Sequence, residues 1–155
     1  MKVIDVMSKN VITVKKEASI LDVMKWMREK NIGFIVVELD DIAIGVITDR
    51  DIVISLSKEL STSTQIQKVM KKFVITIKED DEVSEASDLM GYMQVRRLVV
   101  VNNLNKIVGI LSVTDLLKHQ LTEEYALESM IEISYNYSTN STEPTEIFKT
   151  NAYIF

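Results

Sequence analysis

The chain has no cysteine. That removes disulfides, thiolate metal sites and cysteine nucleophiles at once. Its one histidine, His119, lies one helical turn beyond Asp115; a lone helical histidine is more often surface or packing than a base. Neither Thr48 nor Ser112 has a general base beside it in sequence, so no nucleophile is activated. The acidic pairs Asp40-Asp41 and Asp80-Asp81 have no histidine or cysteine neighbours and read as turn and helix-start residues, at most a weak magnesium site. No catalytic residue, metal site or catalytic cofactor is expected, and the chain is not read as an enzyme.

Long apolar runs are also missing. No stretch approaches the roughly 18 apolar residues of a spanning helix, and the opening MKVIDVMSKN lacks a signal-peptide core. A soluble, cytoplasmic protein without a membrane partner is expected. With a net charge of -5 and a pI near 5.0, the chain lacks the basic balance of a polyanion binder, which disfavours nucleic acid.

What is present is a duplication. Val6-Met7 opens VMSKNVITVKKE, and Val69-Met70 opens VMKKFVITIKED. The segment AIGVITDRDIV (Ala43 to Val53) returns as KIVGILSVTDLL (Lys106 to Leu117), with one residue inserted in the second copy's turn. A period of a little over sixty residues marks one small supersecondary unit per copy. At 155 residues and 46% hydrophobic content, both copies together make one compact body, whereas neither alone buries a comfortable core. Residues 1–60 form the first repeat, 61–64 a linker, 65–121 the second repeat, and 122–155 a helical extension and tail. Two such units create a cleft with pseudo-twofold symmetry, where function is sought.

The periodicity predicts a short apolar pattern over Val3 to Met7, a strand at Val11 to Val14, and a helix from Ile20 to Lys30 capped by Ser19 with Asp22. Ile20, Val23, Met24 and Met27 make its inner stripe, with Leu21 and Trp26 outside it. A strand at Phe34 to Val37, a turn at Asp40-Asp41, a strand at Ala43 to Ile47 and a helix from Thr48 or Asp49 to about Leu60 follow. The second copy repeats the order. Its strand is Val74 to Ile77 and its helix Val83 to Met93, with Val83, Ala86, Leu89, Met90 and Met93 inward. The hairpin joins Leu98 to Val101 with Ile107 to Leu111 through Asn102 to Asn105, and the closing helix runs from Val113 on through Glu123 to Ile133, where Leu127, Met130 and Ile131 form an apolar face. From Ser134 periodicity fades into Ser, Thr and Asn, a loop or docking segment with Phe148, Tyr153, Ile154 and Phe155 as anchors. Each unit is strand, helix, strand, strand, helix, an α+β fold with helices on a mixed sheet. Trp26 and the eight methionines fit core positions or an oligomer seam.

The polar end of each hairpin is where chemistry concentrates. Gly45, Val46, Ile47, Thr48 and Asp51 match Gly109, Ile110, Leu111, Ser112 and Asp115. The hydroxyl sits where strand becomes helix and the aspartate in the helix's first turn. Such a helix start normally invites an anion, but a carboxylate already occupies it. A neutral vicinal diol, donating to the carboxylate oxygens, suits it better, as in a ribose. Taken singly, Thr-x-x-Asp is equally a capping box that only satisfies helix amides. Twice over, after the same glycine and strand, capping alone does not explain the pattern, although descent from one ancestral copy would preserve a structural cap too.

With these residues in place the chain resembles tandem cystathionine beta-synthase (CBS) domains, the Bateman module, over about residues 1 to 120, as a stand-alone protein. The resemblance implies two β-α-β-β-α units and a ribose held by Thr48 with Asp51 and by Ser112 with Asp115. It places the base against Ile12 and Thr13, or Ile75 and Thr76. Adjacent Arg96 and Arg97 resemble the phosphate-binding basic residues of the kinase-regulating members. By the family's cross-cleft arrangement Arg96 or Arg97 is expected to serve the Asp51 ligand, with Arg50 serving the other and the Asp51 site favoured. Strand alternation argues against both arginines reaching inward together, and at the matching place Asn31 to Phe34 carry no basic residue. The alternative for the arginine pair is plain solvation of a junction in an acidic protein.

The implied function is a regulatory sensor that binds AMP, ADP or ATP between the repeats and acts through an unknown effector protein, as a homodimer through the module helices. An S-adenosylmethionine sensor and an interaction module with an empty cleft are the alternatives.

Overall fold

The computed structural model describes residues 1–119 and 121–138, the side chains of 135–138 excepted. Helix α1 (Val3–Val6) is followed by β1 (Thr13–Lys15), α2 (Ile20–Lys30), β2 (Phe34–Leu39), β3 (Ile42–Thr48) and α3 (Asp49–Ser57). After a single 3-10 turn at Ile66–Lys68 come β4 (Thr76–Lys78), α4 (Val83–Met93), β5 (Arg97–Val101), β6 (Ile107–Ser112), α5 (Val113–Lys118) and α6 (Glu123–Ser138). The class is α+β, with two three-stranded sheets of order β1-β2-β3 and β4-β5-β6. In each, the first strand runs parallel to the second and the hairpin closes antiparallel.

Two compact units divide the chain, and each borrows a leader from the other repeat. One comprises Ile12–Val74; the other joins Met1–Val11 to the described residues from Ile75 on. In the first, Val46 and Lys71 exchange both backbone hydrogen bonds at 2.9 Å; in the second, Ser8 and Ile110 do the same at 2.9 Å. The leader crosses its hairpin above a glycine. A Cβ on Gly45 would stand 3.0 Å from the Lys71 carbonyl oxygen and against Met70 Sδ, and one on Gly109 3.2 Å from the Ser8 carbonyl oxygen and against Met7 Sδ. Neither glycine has positive φ, so close approach, not backbone freedom, requires it.

Each unit packs its own core. Ile20, Val23, Met27, Ile35, Val37, Ile47 and Ile66 gather in one, and Val83, Met90, Leu98, Leu111, Leu116 and Ala126 in the other. Helices α2 and α4 have the expected bounds. Ser19 accepts from the Asp22 amide at 3.1 Å, and Asn31 ends α2 in the left-handed region at φ 52°. Both Asp40 and Asp41 take positive φ in the β2–β3 turn, a conformation aspartate tolerates.

Several expectations are corrected. The opening strands begin later than predicted, at Thr13 and Thr76, because the chain is still leaving its bridge to the other hairpin. Helix α3 stops at Ser57, where the Leu60 amide turns back to the Ser55 carbonyl at 3.3 Å and Glu59 takes φ 62°. Met24, expected inside, is 36% exposed. The closing helix is not continuous. His119 is extended, and the Thr122 hydroxyl donates to the Leu116 and His119 carbonyls at 2.7 and 3.1 Å, taking up acceptors released at the break. Helix α6 buries Ala126 and Ser129, while Leu127 and Ile131 are 54% and 66% exposed and Met130 also faces outward. Ser134 to Ser138 are helical rather than loop; the anchors Phe148 to Phe155 lie outside the described residues.

Candidate functional site

Thr48 is the last residue of β3 and the N-cap of α3, extended at φ -115°. That geometry turns its hydroxyl toward the helix's free amides. Thr48 Oγ1 accepts from the Asp51 amide at 3.2 Å and donates to Asp51 Oδ2 at 2.6 Å, and the same Oδ2 accepts the Thr48 amide at 3.0 Å. The second copy repeats this atom for atom. Ser112 Oγ accepts from the Asp115 amide at 3.3 Å and donates to Asp115 Oδ2, which also accepts the Ser112 amide at 3.0 Å. Ser112 Oγ further shares a 2.8 Å bond with Thr114 Oγ1.

The capping reading is therefore correct as structure, and it uses one carboxylate oxygen. The other oxygen, Oδ1, meets different groups. Lys71 Nζ lies 3.3 Å from Asp51 Oδ1. Asp115 Oδ1 has Ser8 Oγ and Lys118 Nζ, both at 3.4 Å. Both carboxylates are largely covered, with 11% and 10% side-chain exposure, while the two lysines are 63% and 75% exposed. Ser8, Lys71 and Lys118 were not foreseen as site residues. For Ser8 and Lys71 the signal was present in the aligned Met-Ser-Lys and Met-Lys-Lys of the leaders, but repeat alignment alone does not say which hairpin a leader crosses; Lys118 follows Asp115 by three residues in the same helix.

Strand register places the remaining candidates. Thr13 pairs with Val36, and Phe34 with Thr48, so Ile12, Thr13 and Thr48 share one end of their sheet. Thr76 pairs with Val99, and Arg97 lies directly opposite Ser112, so Ile75, Thr76, Arg97 and Ser112 share the corresponding end of theirs. Ile12, Thr13, Ile75 and Thr76 are all half-buried. Arg96 holds the start of α5 through its carbonyl, which accepts the Val113 amide at 3.1 Å. Gly33 does the same for Asp49 at 3.2 Å. Arg96, Arg97 and Arg50 are exposed. His119 is an exposed helix-end residue. Among the described residues no group of three or more potential ligands is placed to hold a metal ion, and no helix is long and apolar enough to cross a membrane.

The profile of the CBS domain matches residues 3–58 and again 66–122. The chain is 34% identical over 117 residues to an uncharacterized protein of Methanopyrus kandleri, covering 74% of this chain and 60% of that one. It is 31% identical over 132 residues to the CBS domain-containing protein YhcV of Bacillus subtilis, covering 84% and 94%. The chain thus spans less than two thirds of the first relative's length and nearly all of the second's. Among solved structures, the CBS domain pair of protein MJ0100, in complex with 5'-methylthioadenosine and S-adenosyl-L-methionine, superposes with a TM-score of 0.69 at 27% identity, covering 76% of this chain and 94% of that one. The CBS domain protein PAE2072 of Pyrobaculum aerophilum, complexed with AMP, gives 0.74 at 21% identity, covering 82% and 98%, a likeness of fold. With the family profile on both repeats and the hydroxyl-carboxylate helix start built twice, the chain belongs to the CBS domain family as a tandem pair.

Proposed function

We propose that this chain is a regulatory module that binds an adenosyl ligand and acts through a partner protein. The observation that carries the reading is the duplicated carboxylate. In Asp51 and Asp115 the cap fixes one oxygen, while the other is held mainly by groups that can move aside, an exposed lysine in each case. A ribose diol donates hydrogen bonds to such an acceptor, and a charge-assisted bond of this kind is worth about 1.5–3 kcal/mol. Ile12 with Thr13, and Ile75 with Thr76, stand at the same sheet ends to receive the base.

The ligands in the two solved relatives support this choice. S-adenosyl-L-methionine, 5'-methylthioadenosine and AMP differ at the 5' position and share an adenine and a ribose diol. Arg96 or Arg97 at one site and Arg50 at the other would meet phosphates, which puts AMP, ADP or ATP ahead of S-adenosylmethionine for this chain. The reading is binding rather than catalysis, because the carboxylate that accepts from each hydroxyl, Asp51 for Thr48 and Asp115 for Ser112, is also engaged by the backbone amide of the same cap.

Isothermal titration with AMP, ADP, ATP and S-adenosylmethionine, with Asp51→Ala and Asp115→Ala alongside, tests the reading. Saturable binding that weakens in either variant supports it and ranks the ligands. Flat traces for all four overturn it in favour of a protein-interaction module, for which the exposed apolar residues of α6 are the specific observation.

A further inference from the structure

Of the eight methionines, Met7 and Met70 hold equivalent places in the two leaders. Each comes one residue before the two-way backbone bridge that ties its leader to a hairpin, Ser8 with Ile110 and Lys71 with Val46. Each also rests its thioether on the hairpin's glycine. A Cβ built on Gly45 would stand 2.6 Å from Met70 Sδ, and one on Gly109 would strike Met7 Sδ, so each sulfur already fills the space beside the glycine Cα. Both side chains pack against the core of their own unit, yet both stay half-buried. Met27 and Met90, by contrast, are sealed at 8% and 0% exposure.

The residue after each of these methionines faces a helix-start carboxylate. Ser8 Oγ is 3.4 Å from Asp115 Oδ1, and Lys71 Nζ is 3.3 Å from Asp51 Oδ1. A displaced methionine is thus felt one peptide unit away, at the bridge and at the carboxylate oxygen that the cap does not use.

A thioether suits this place because it is apolar, polarisable and only a weak acceptor. A sulfoxide does not. When hydrogen peroxide meets the sulfur, one oxygen atom bonds to the sulfur lone pair, the O–O bond breaks and water leaves; the sulfur is oxidised by two electrons and the peroxide reduced by two. The new S–O group is larger, polar and costly to hold in an apolar contact. On the glycine side there is no room for it. The strain is relieved by lifting the methionine off the glycine, and the adjoining bridge goes with it.

We propose that Met7 and Met70 are redox-sensitive latches: oxidation of either thioether to the sulfoxide by a peroxide releases its leader from the hairpin, and reduction restores the crossing. In the return step two thiols become a disulfide and the oxygen leaves as water, a reaction the methionine sulfoxide reductases catalyse with one enzyme per sulfoxide epimer. The device is built twice, once in each unit. It is independent of whether any ligand binds.

Hydrogen peroxide titrated onto the full chain tests it, with peptide mass spectrometry locating the oxidised methionines and amide hydrogen exchange read at Ser8, Ile110, Val46 and Lys71. A variant carrying Met7→Leu and Met70→Leu, a volume-conserving change, is run beside the wild type. Met24 and Met130, 36% and 40% exposed, remain in both proteins as oxidisable controls. The expected result is oxidation of Met7 and Met70, exchange faster by roughly tenfold or more at the four bridge amides, and recovery after treatment with both reductases and a dithiol. The variant should show no such acceleration although Met24 and Met130 oxidise in it. If the variant does not fold, bridge exchange plotted against the extent of Met7 and Met70 oxidation in the wild type decides alone. Met7 and Met70 that stay reduced while Met24 and Met130 oxidise, bridge exchange unchanged once they are oxidised, equal acceleration in the folded variant, or no recovery on reduction overturns the proposal.

Discussion

Lys71 Nζ stands 3.3 Å from Asp51 Oδ1, while at the matching leader position the other unit has Ser8, whose Oγ is 3.4 Å from Asp115 Oδ1. The two carboxylates are capped identically and neutralised differently. Lys71 is 63% exposed, so its ion pair is worth only about 0.2–1 kcal/mol, and it yields readily to a ligand. Asp51→Ala is expected to cost about 1.5–3 kcal/mol of adenosyl-ligand affinity at its site, near the worth of a charged hydrogen bond. Lys71→Ser should change that affinity by no more than about fivefold. Calorimetric titration of both variants checks the pair; a Lys71 effect as large as that of Asp51 would mean that the lysine itself holds the ligand.

Gly45 and Gly109 are expected to be intolerant of alanine. The atoms a new Cβ meets include the backbone carbonyls of Lys71 and Ser8, and these are tied into two-way bridges that cannot retreat without breaking them. Overpacking of this kind costs about 1–3 kcal/mol. For Gly33→Ala the nearest atoms all belong to the Asp49 carboxylate, the end of an exposed side chain, and the change should cost less. Urea unfolding of the three variants gives the ranking directly.

The same crossings explain what the sequence made legible and what it did not. The bounds of helices α2 and α4 were readable to the residue, in α2 because the cap at Ser19 with Asp22 agrees with the apolar positions Ile20, Val23 and Met27. The hydroxyl-carboxylate pairs of the candidate site were readable because Thr48–Asp51 and Ser112–Asp115 are local, each a cap contained within one helix start. The exchange of leaders was hidden. Val6-Met7 and Val69-Met70 are alike, so their pattern fits either hairpin equally well. The outward face of α6 was hidden for a related reason. Apolar periodicity at Leu127, Met130 and Ile131 marks a helix face but not its direction, and here the close contact with α4 is made instead by Ser129 and Ala126, residues that a hydrophobic pattern passes over.

Glu82 offers a pH-dependent test of how the leader of residues 1–11 is held. Its carboxylate accepts Lys2 Nζ at 2.8 Å and the Met1 ammonium at 2.9 Å. The hydrogen bond from Lys2, followed by that from the terminal ammonium, lowers its pKa to about 2 from an ordinary 4.5. A depressed carboxylate pKa contributes stability that is present above the unfolded value and lost as pH falls from about 4.5 through about 2. A carboxyl-detected NMR titration should find the Glu82 midpoint near the lower figure, and Lys2→Met should move it upward. A midpoint at the ordinary value in the wild type would show that the contact does not persist in solution.

Ser87 and Met24 occupy matching helix positions with opposite fates, 2% and 36% exposed. Ser87→Met therefore places in α4 the residue α2 already has, but against α6. The change removes the hydroxyl that bonds the Tyr125 carbonyl and Ser129 Oγ, each at 2.7 Å, and forces a longer side chain against α6. The expected cost is about 1–3 kcal/mol, concentrated in α6. Hydrogen exchange should then accelerate at Ala126 to Met130 while the amides of β5 and β6 stay protected. The converse change, Met24→Ser, alters a side chain on the exposed face of α2 and should leave stability within about 0.5 kcal/mol of wild type. Equal losses in the two variants would mean that the α2 face is covered as tightly as the α4 face, and the difference between the repeats would lose its basis.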